Sequence, residues 1–265
     1  MLIIGERINS TRESIARAIA ARDAGHIQRE ALAQIEAGSD YVDVNAGAFA
    51  GEEPELLAWL VRAVQEVTDK PLCLDTANAQ AAAAALKVHK GKALINSVTG
   101  QKERYQAFLP LVKEYGCGII ALCLDDSGTP GDVPGRLAIA RRLIENLTAQ
   151  GIAPADIYID PLVHPLSVET KAGLIAIDTI ASIAQEYPQV GTIVGLSNIS
   201  FGLPARARLN RLFLVLALAH GLKAAILDPT DKRMMADLAT AETILGQDEY
   251  CVNYLTAYRA GKFNL

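Results

Sequence analysis

At 265 residues the chain suits one large α/β domain or two ordinary ones, and 51% apolar against 21% charged residues is the balance of a globular protein rather than a disordered one. A net charge of −5, with no basic run and no aromatic-interleaved basic patch, argues against nucleic acid as a partner. No apolar stretch approaches the length that spans a bilayer, and the start "MLIIGERINS" lacks the regions of a secretion signal, so a soluble cytoplasmic protein without a membrane partner is expected.

Along the chain, short β-rich apolar segments alternate with stretches of helical periodicity. "MLIIGERIN" at 1–9 leads into "SIARAIAARDAGHIQREALAQIEAG", read as one helix ending at Gly38. Next come "YVDVNAG" at 41–47 and "PLCLDT" at 71–76, followed by "AAAAALKVHKGK" at 81–92, which reads as helix because Ala is the strongest helix former. "ALINSV" at 93–98 and "CGIIALCLDD" at 117–126 are further strands, and "VPGRLAIARRLIENLTAQG" is a helix closed by Gly151. The series ends with "IYIDPL" at 157–162, "TIVGLSN" at 192–198 and "AAILD" at 224–228. Eight strands separated by helices imply parallel pairing, and the count and size are those of one closed (β/α)₈ TIM barrel over residues 1–265. An open doubly wound sheet would normally carry a phosphate-binding glycine loop, and neither GxGxxG nor GxxxxGKS/T occurs. The cysteines at 73, 117, 123 and 251 show no CxxC spacing and are read mostly as buried thiols.

Barrel enzymes build their sites at the carboxyl ends of the strands. Those ends carry Glu6 and Asn9, Asp43 and Asn45, Asp75, Asn96, Asp125 and Asp126, Asp160, Ser197 and Asn198, and Asp228. Helix capping explains any one of them, and for Asp228, ahead of "PTDKRMMADL", it explains as much as a functional role does. The set contains no Lys for a Schiff base and no Ser-His-Asp combination, so nucleophilic catalysis is not indicated. No His or Cys pair has metal-ligand spacing, and no metal is expected. Carboxylates and amides without a cationic residue suit a neutral heterocycle with a row of N–H donors, such as a pterin, better than a phosphate or carboxylate.

"GERIN" at 5–9, "DVNAG" at 43–47, "LCLDT" at 72–76, "INSV" at 95–98, "DP" at 160–161 and "GLSNIS" at 195–200 together resemble, in order and over nearly the whole chain, the pterin-binding methyltransferases. These include the methyltetrahydrofolate:corrinoid protein methyltransferases and the folate domain of cobalamin-dependent methionine synthase. The resemblance implies a (β/α)₈ barrel, a homodimer, and methyl transfer between N5 of methyltetrahydrofolate and the cobalt of a corrinoid held by a partner protein. Carried over by motif, the pterin-binding residues are Asp75, Asn96 and Asp160, and the catalytic residue is Asn198. Gly195 and Ser197 flank it, and Glu6 and Asn45 are weaker candidates.

The zinc and cobalamin motifs of the other methionine synthase domains are not found, so the corrinoid is expected on a separate protein. Dihydropteroate synthase is the alternative pterin enzyme, but its Asn-Pro-Asp-Ser-Phe-like loop and late catalytic Lys are replaced here by "ERINST" and "LSNISFG". "FGLPARAR" at 201–208 differs from the Asn/Gln-rich loop of the acetyl-CoA-pathway enzyme. That difference leans toward tetrahydrofolate as methyl acceptor in O-demethylation or a similar methyl-catabolic system, with methyl donation to a corrinoid/iron-sulfur protein as the alternative. Arg206 and Arg208 in this segment are candidate contacts for the partner or for the folate glutamate tail, against the alternative of a solvated loop.

Overall fold

In the computed structural model, which describes residues 1–263, eight parallel strands close into one barrel whose spatial order is the chain order. The last two positions of the expected 1–265 domain lie outside the described residues. The strands are β1 Leu2–Asn9, β2 Tyr41–Asn45, β3 Leu72–Asp75, β4 Leu94–Thr99, β5 Gly118–Leu122, β6 Ile157–Asp160, β7 Gly191–Gly195 and β8 Ala224–Leu227, with β1 pairing β8 to seal the ring. Around them run α1 Glu13–Ala20, α2 Ala24–Glu36, α3 Glu53–Gln65, α4 Ala79–Leu86, α5 Lys102–Tyr115, α6 Val133–Ala149, α7 Ala172–Glu186, α8 Arg206–Ala219, α9 Lys232–Ile244 and α10 Val252–Arg259.

Strand side chains alternate between the two faces, so each strand feeds two cores. One set fills the barrel interior, where Ile4, Cys73, Leu94, Ile120, Ile193 and Ala224 pack together with Tyr41 and Tyr158 at their edges. The other set faces the helices: Val42, Leu72, Leu74 and Ile119 meet Leu57, Leu60 and Val61 of α3 and their neighbours, and Val194 and Ala225 meet Ile180 of α7 and Leu214 of α8. Each such Leu or Ile removed from water contributes about 1.5–3 kcal/mol.

All eight expected strands form, and Gly38 and Gly151 end their helices at φ +112° and +86°. Four boundaries differ from the sequence reading. The helix expected to run to Gly38 breaks in two, because Arg22 adopts φ +53° and Asp23 caps α2 by accepting from the backbone N–H of His26. The Ala-rich helix stops at Leu86; beyond it, Gln65 of α3 hydrogen-bonds both the N–H and the carbonyl of Lys90, and the ring of His89 accepts from Leu72 N–H, so tertiary bonds hold residues 87–92. Strand β5 ends at Leu122, leaving Asp125 and Asp126 in a turn. Strand β7 ends at Gly195, and Leu196–Ser200 form a 3₁₀ turn rather than continuing the strand.

Candidate active site

The polar mouth follows from the same alternation. Two residues beyond each interior apolar side chain comes the next inward position: Asp75 after Cys73, Asn96 after Leu94, Asp160 after Tyr158 and Gly195 after Ile193. Register then sets Asn45 beside Asp75, and Asp75 beside Asn96. Asn45, Asp75, Asn96, Asp160, Gly195 and Asn198 line one cavity of about 640 Å³ at the carboxyl end of the barrel.

Hydrogen bonds orient these groups before any ligand arrives. Asn45 Oδ1 accepts from Ser10 Oγ at 2.6 Å and from Gly47 N–H at 3.0 Å, which turns its Nδ2 to donate to Asp75 Oδ2 at 3.0 Å. Asn96 Nδ2 donates to Asp43 Oδ1 at 3.4 Å, directing its own oxygen elsewhere. Asp160 Oδ1 accepts from Leu162 N–H at 2.7 Å. Asn198 stands on the 3₁₀ turn, and a Cβ at position 195 would lie 3.1 Å from its Nδ2. Glycine at 195 therefore makes room for the Asn198 carboxamide.

Burial dominates the electrostatics. It pushes the Asp75 carboxyl up to about 6, against the opposing pull of the Asn45 hydrogen bond and the Arg104 charge. Asp160 rises to about 7 for the same reason, although the Leu162 N–H, the Arg136 charge and the Gly195 N–H favour its ionised form. Asp43, almost wholly buried, is raised well above the carboxylate range by burial and then by the charge of Asp75. Burial thus disfavours the charged form of Asp43, which sits beneath the cavity and accepts from Asn96 Nδ2.

Arg104 corrects the expectation that the site lacks a cationic residue. It enters the cavity from the first turn of α5, and its Nε donates to the Ser97 carbonyl at 2.9 Å. Glu53, at the start of α3, also lines the cavity and accepts from Thr76 Oγ1. Neither residue lies at a strand end, which is why a survey of strand ends passes over both. Glu6, Ser197 and Arg206 share a neighbouring cleft of about 250 Å³ with Asp228. There Ser197 Oγ donates to Glu6 Oε2 at 3.2 Å, and burial raises the Glu6 carboxyl. Arg206 is the first residue of α8 rather than part of a loop; it donates to the Ser197 carbonyl at 2.8 Å and to Ser200 Oγ at 3.0 Å and lies over the Phe201 ring, clasping the turn that carries Asn198. Arg208 is exposed on α8. Asp228 does not cap α9, a role taken by Asp231; it receives Arg7 Nη1 at 3.0 Å and the Thr230 N–H and hydroxyl. Asp125 pairs with Arg142, and Asp126 accepts from Lys102 N–H. Among the described residues no group of three or more His, Cys, Asp or Glu side chains is arranged to hold a metal ion.

A parallel eight-stranded barrel with this amide and carboxylate mouth belongs to the pterin-binding enzymes: the family profile described as "Pterin binding enzyme" matches residues 5–228. Within that family, the chain is 35% identical over 264 residues to the methylcorrinoid:tetrahydrofolate methyltransferase of Eubacterium limosum, covering 99% of this chain and 97% of that one. It is 31% identical over 239 residues to methionine synthase of Mycobacterium leprae, a match spanning 85% of this chain but 20% of the longer protein. The dihydropteroate synthase of Xanthomonas albilineans superposes with a TM-score of 0.71 at 18% identity, over 94% of this chain and 93% of its own. That of Yersinia pestis gives 0.65 at 17%, over 92% of each. At these identities the two synthases share the fold.

Proposed function

We propose that the enzyme transfers a methyl group between the cobalt of a corrinoid carried on a separate protein and N5 of tetrahydrofolate, running toward methyltetrahydrofolate in a methyl-catabolic system. The observation that carries this reading is the meeting of Asp75, Asn96, Asp160 and Asn198 in one cavity, in a chain alike over its full length to a methylcorrinoid:tetrahydrofolate methyltransferase. The set of acceptors and donors suits the substrate. Asp75 Oδ1 and the oxygen of Asn96 receive no hydrogen bond from the described residues, and with Asp160 they offer acceptors to the N–H groups of a pterin, while Arg104 adds donors for its oxygen and ring nitrogens.

Toward the folate, N5 supplies its lone pair to the methyl carbon, and the bonding electrons of the carbon–cobalt bond stay with the metal. Positive charge grows on N5, which then releases its proton. In reverse, N5 must regain positive charge before it leaves, because an amine anion is a very poor leaving group. Asn198 suits both directions: its carboxamide accepts from N5–H through oxygen or donates through nitrogen, and no hydrogen bond among the described residues ties it to one orientation. The neighbouring carboxamides and carboxyls hold the ring in line with the incoming methyl group, which is the larger part of the protein's task.

The reading extends to a cytoplasmic homodimer. Four free cysteines support the compartment. Leu212 and Leu216 of α8, 65% and 52% exposed, with Leu174 of α7, 63% exposed, support a second copy covering this flank. Incubating the enzyme with tetrahydrofolate and a methylated corrinoid protein is the direct test, with methyltetrahydrofolate as the expected product. Condensation of p-aminobenzoate with a pterin pyrophosphate, in place of methyl transfer, would instead make it a synthase.

A further inference from the structure

Arg136 is the largest of the fully buried side chains, at 1% exposure, and it spends its donors on main-chain carbonyls. From the first turn of α6 its Nε donates to Pro130 O at 3.0 Å, and its Nη1 donates to Pro161 O at 2.8 Å and to Leu162 O at 2.7 Å. Burying a guanidinium is costly, and a side chain kept there must hold something in place. The two carbonyls shared by Nη1 belong to the residues that directly follow Asp160.

The held segment has an uncommon conformation. Leu162 lies at φ +63°, a left-handed region that a branched side chain rarely adopts. In that conformation its N–H turns back onto Asp160 Oδ1 at 2.7 Å, while its side chain lines the cavity. The chain of contact therefore runs from Arg136 to two carbonyls, from their peptide units to the Leu162 N–H, and from there to one oxygen of Asp160. With that oxygen occupied, the carboxyl plane is set.

Resting on the pterin reading of the cavity, we infer that Arg136 is the positioning residue of Asp160, fixing through the Pro161–Leu162 turn the carboxylate that receives the pterin N–H groups. Its charge also acts on Asp160 directly. The groups facing that carboxyl are Arg136 from α6, the buried thiol of Cys123 after β5, and the N–H groups of Leu162 and Gly195; Asp132 and His164 act on Arg136 itself. Of these, Arg136 is the cation. A residue that merely pinned the loop would leave the pH dependence of ligand binding unchanged.

The test is calorimetric binding of tetrahydrofolate from pH 5.5 to 8.5 to the full-length enzyme and its R136K, R136M, D160N and R136K/D160N variants. R136K keeps the charge and loses the planar fork, so affinity at pH 7.5 is expected to fall roughly tenfold while the pH midpoint stays in place. R136M loses both, and its midpoint is expected to move up by about one pH unit. In the D160N background, R136K is expected to weaken binding by less than about twofold, because asparagine, with its oxygen held by the Leu162 N–H, turns an NH₂ donor to the cavity and leaves no acceptor for Arg136 to position. Equal fold-losses in the two backgrounds, or wild-type binding by R136K, overturn the role of Arg136 and leave the pterin reading standing. D160N that binds tetrahydrofolate as wild type does removes Asp160 from the site and overturns the pterin reading itself. Should R136M fail to fold, the R136K cycle decides alone.

Discussion

Replacing Asp160 by Asn should make the folded protein more stable at alkaline pH while weakening its hold on folate. The native carboxyl sits at about 7 against an ordinary 3.8, with burial as the main cause. A group whose folded value is raised stabilises fully below the unfolded value and loses that contribution as pH rises through the folded one. For Asp160 the loss runs from about pH 4 to about pH 7, and three units at about 1.4 kcal/mol each make it about 4 kcal/mol above that window. Water penetration and relaxation lower this figure, so about 2–4 kcal/mol is expected. Asparagine is uncharged, keeps the shape of the carboxyl and still accepts from the Leu162 N–H, which wild type does at 2.7 Å. Urea unfolding of ligand-free wild type and D160N at pH 5, 6, 7 and 8 measures the difference. It should favour D160N at pH 8 and shrink by up to about 1.4 kcal/mol for each unit below pH 7. A difference independent of pH, or a D160N protein less stable than wild type at pH 8, would refute the argument that burial of this carboxyl is unfavourable.

Asn198→Ala should slow single-turnover methyl transfer by roughly 10²-fold while changing folate affinity much less, since its contact strengthens in the transition state; wild-type transfer per folded site would move the N5 contact to another residue. Gly195→Ala, whose new Cβ would stand 3.1 Å from Asn198 Nδ2, should reproduce part of that rate loss with tetrahydrofolate binding retained, and an unchanged rate would separate the two residues. Tetrahydrofolate affinity should rise between about pH 5 and pH 8 as Asp75, at about 6, and Asp160, at about 7, lose their protons and become better acceptors, whereas a flat profile by calorimetry would exclude both as acceptors. Leu212→Glu with Leu216→Glu should yield monomers in sedimentation, and dimers persisting in that variant would place the interface elsewhere.

How much of this was legible in the chain depended on which rule reached each residue. The strands were readable because parallel barrel strands are covered on both faces and appear as apolar runs between helices. Asn45, Asp75, Asn96, Asp160 and Asn198 could be gathered at one mouth by position at strand ends, and the structure brings them to one cavity. That rule weakens where the strand stops. Ser197 lies in the 3₁₀ turn after Gly195, so the alternation that places Ile193 and Gly195 inward no longer applies, and Ser197 faces the neighbouring cleft with Glu6 and Arg206. Arg104 reaches the cavity from a helix, and its contact with Ser97 links residues seven apart across a turn. The break at Arg22–Asp23 was hidden because apolar periodicity continues through it, leaving only the Asp23 cap as a local signal.

The same limits explain why the support beneath the site is harder to read than the site itself. Arg136 looks like an ordinary charged position in "VPGRLAIARR", and nothing in its own segment announces that the loop after β6 will bring two carbonyls to it. Asp43 likewise reads as a strand-end carboxylate, yet the barrel buries it below Asn96, where its charge is disfavoured. These contacts join segments far apart in the chain, and they become visible only once the register of neighbouring strands and the path of the connecting loops are known. A site made of uncharged amides and of carboxyls that titrate near neutrality then has a physical logic. It can surround a neutral ring with donors and acceptors at the barrel mouth without the full desolvation penalty of several fixed charges. The fixed cation Arg136 is buried behind the turn of Asp160, where its charge favours ionisation of that carboxyl.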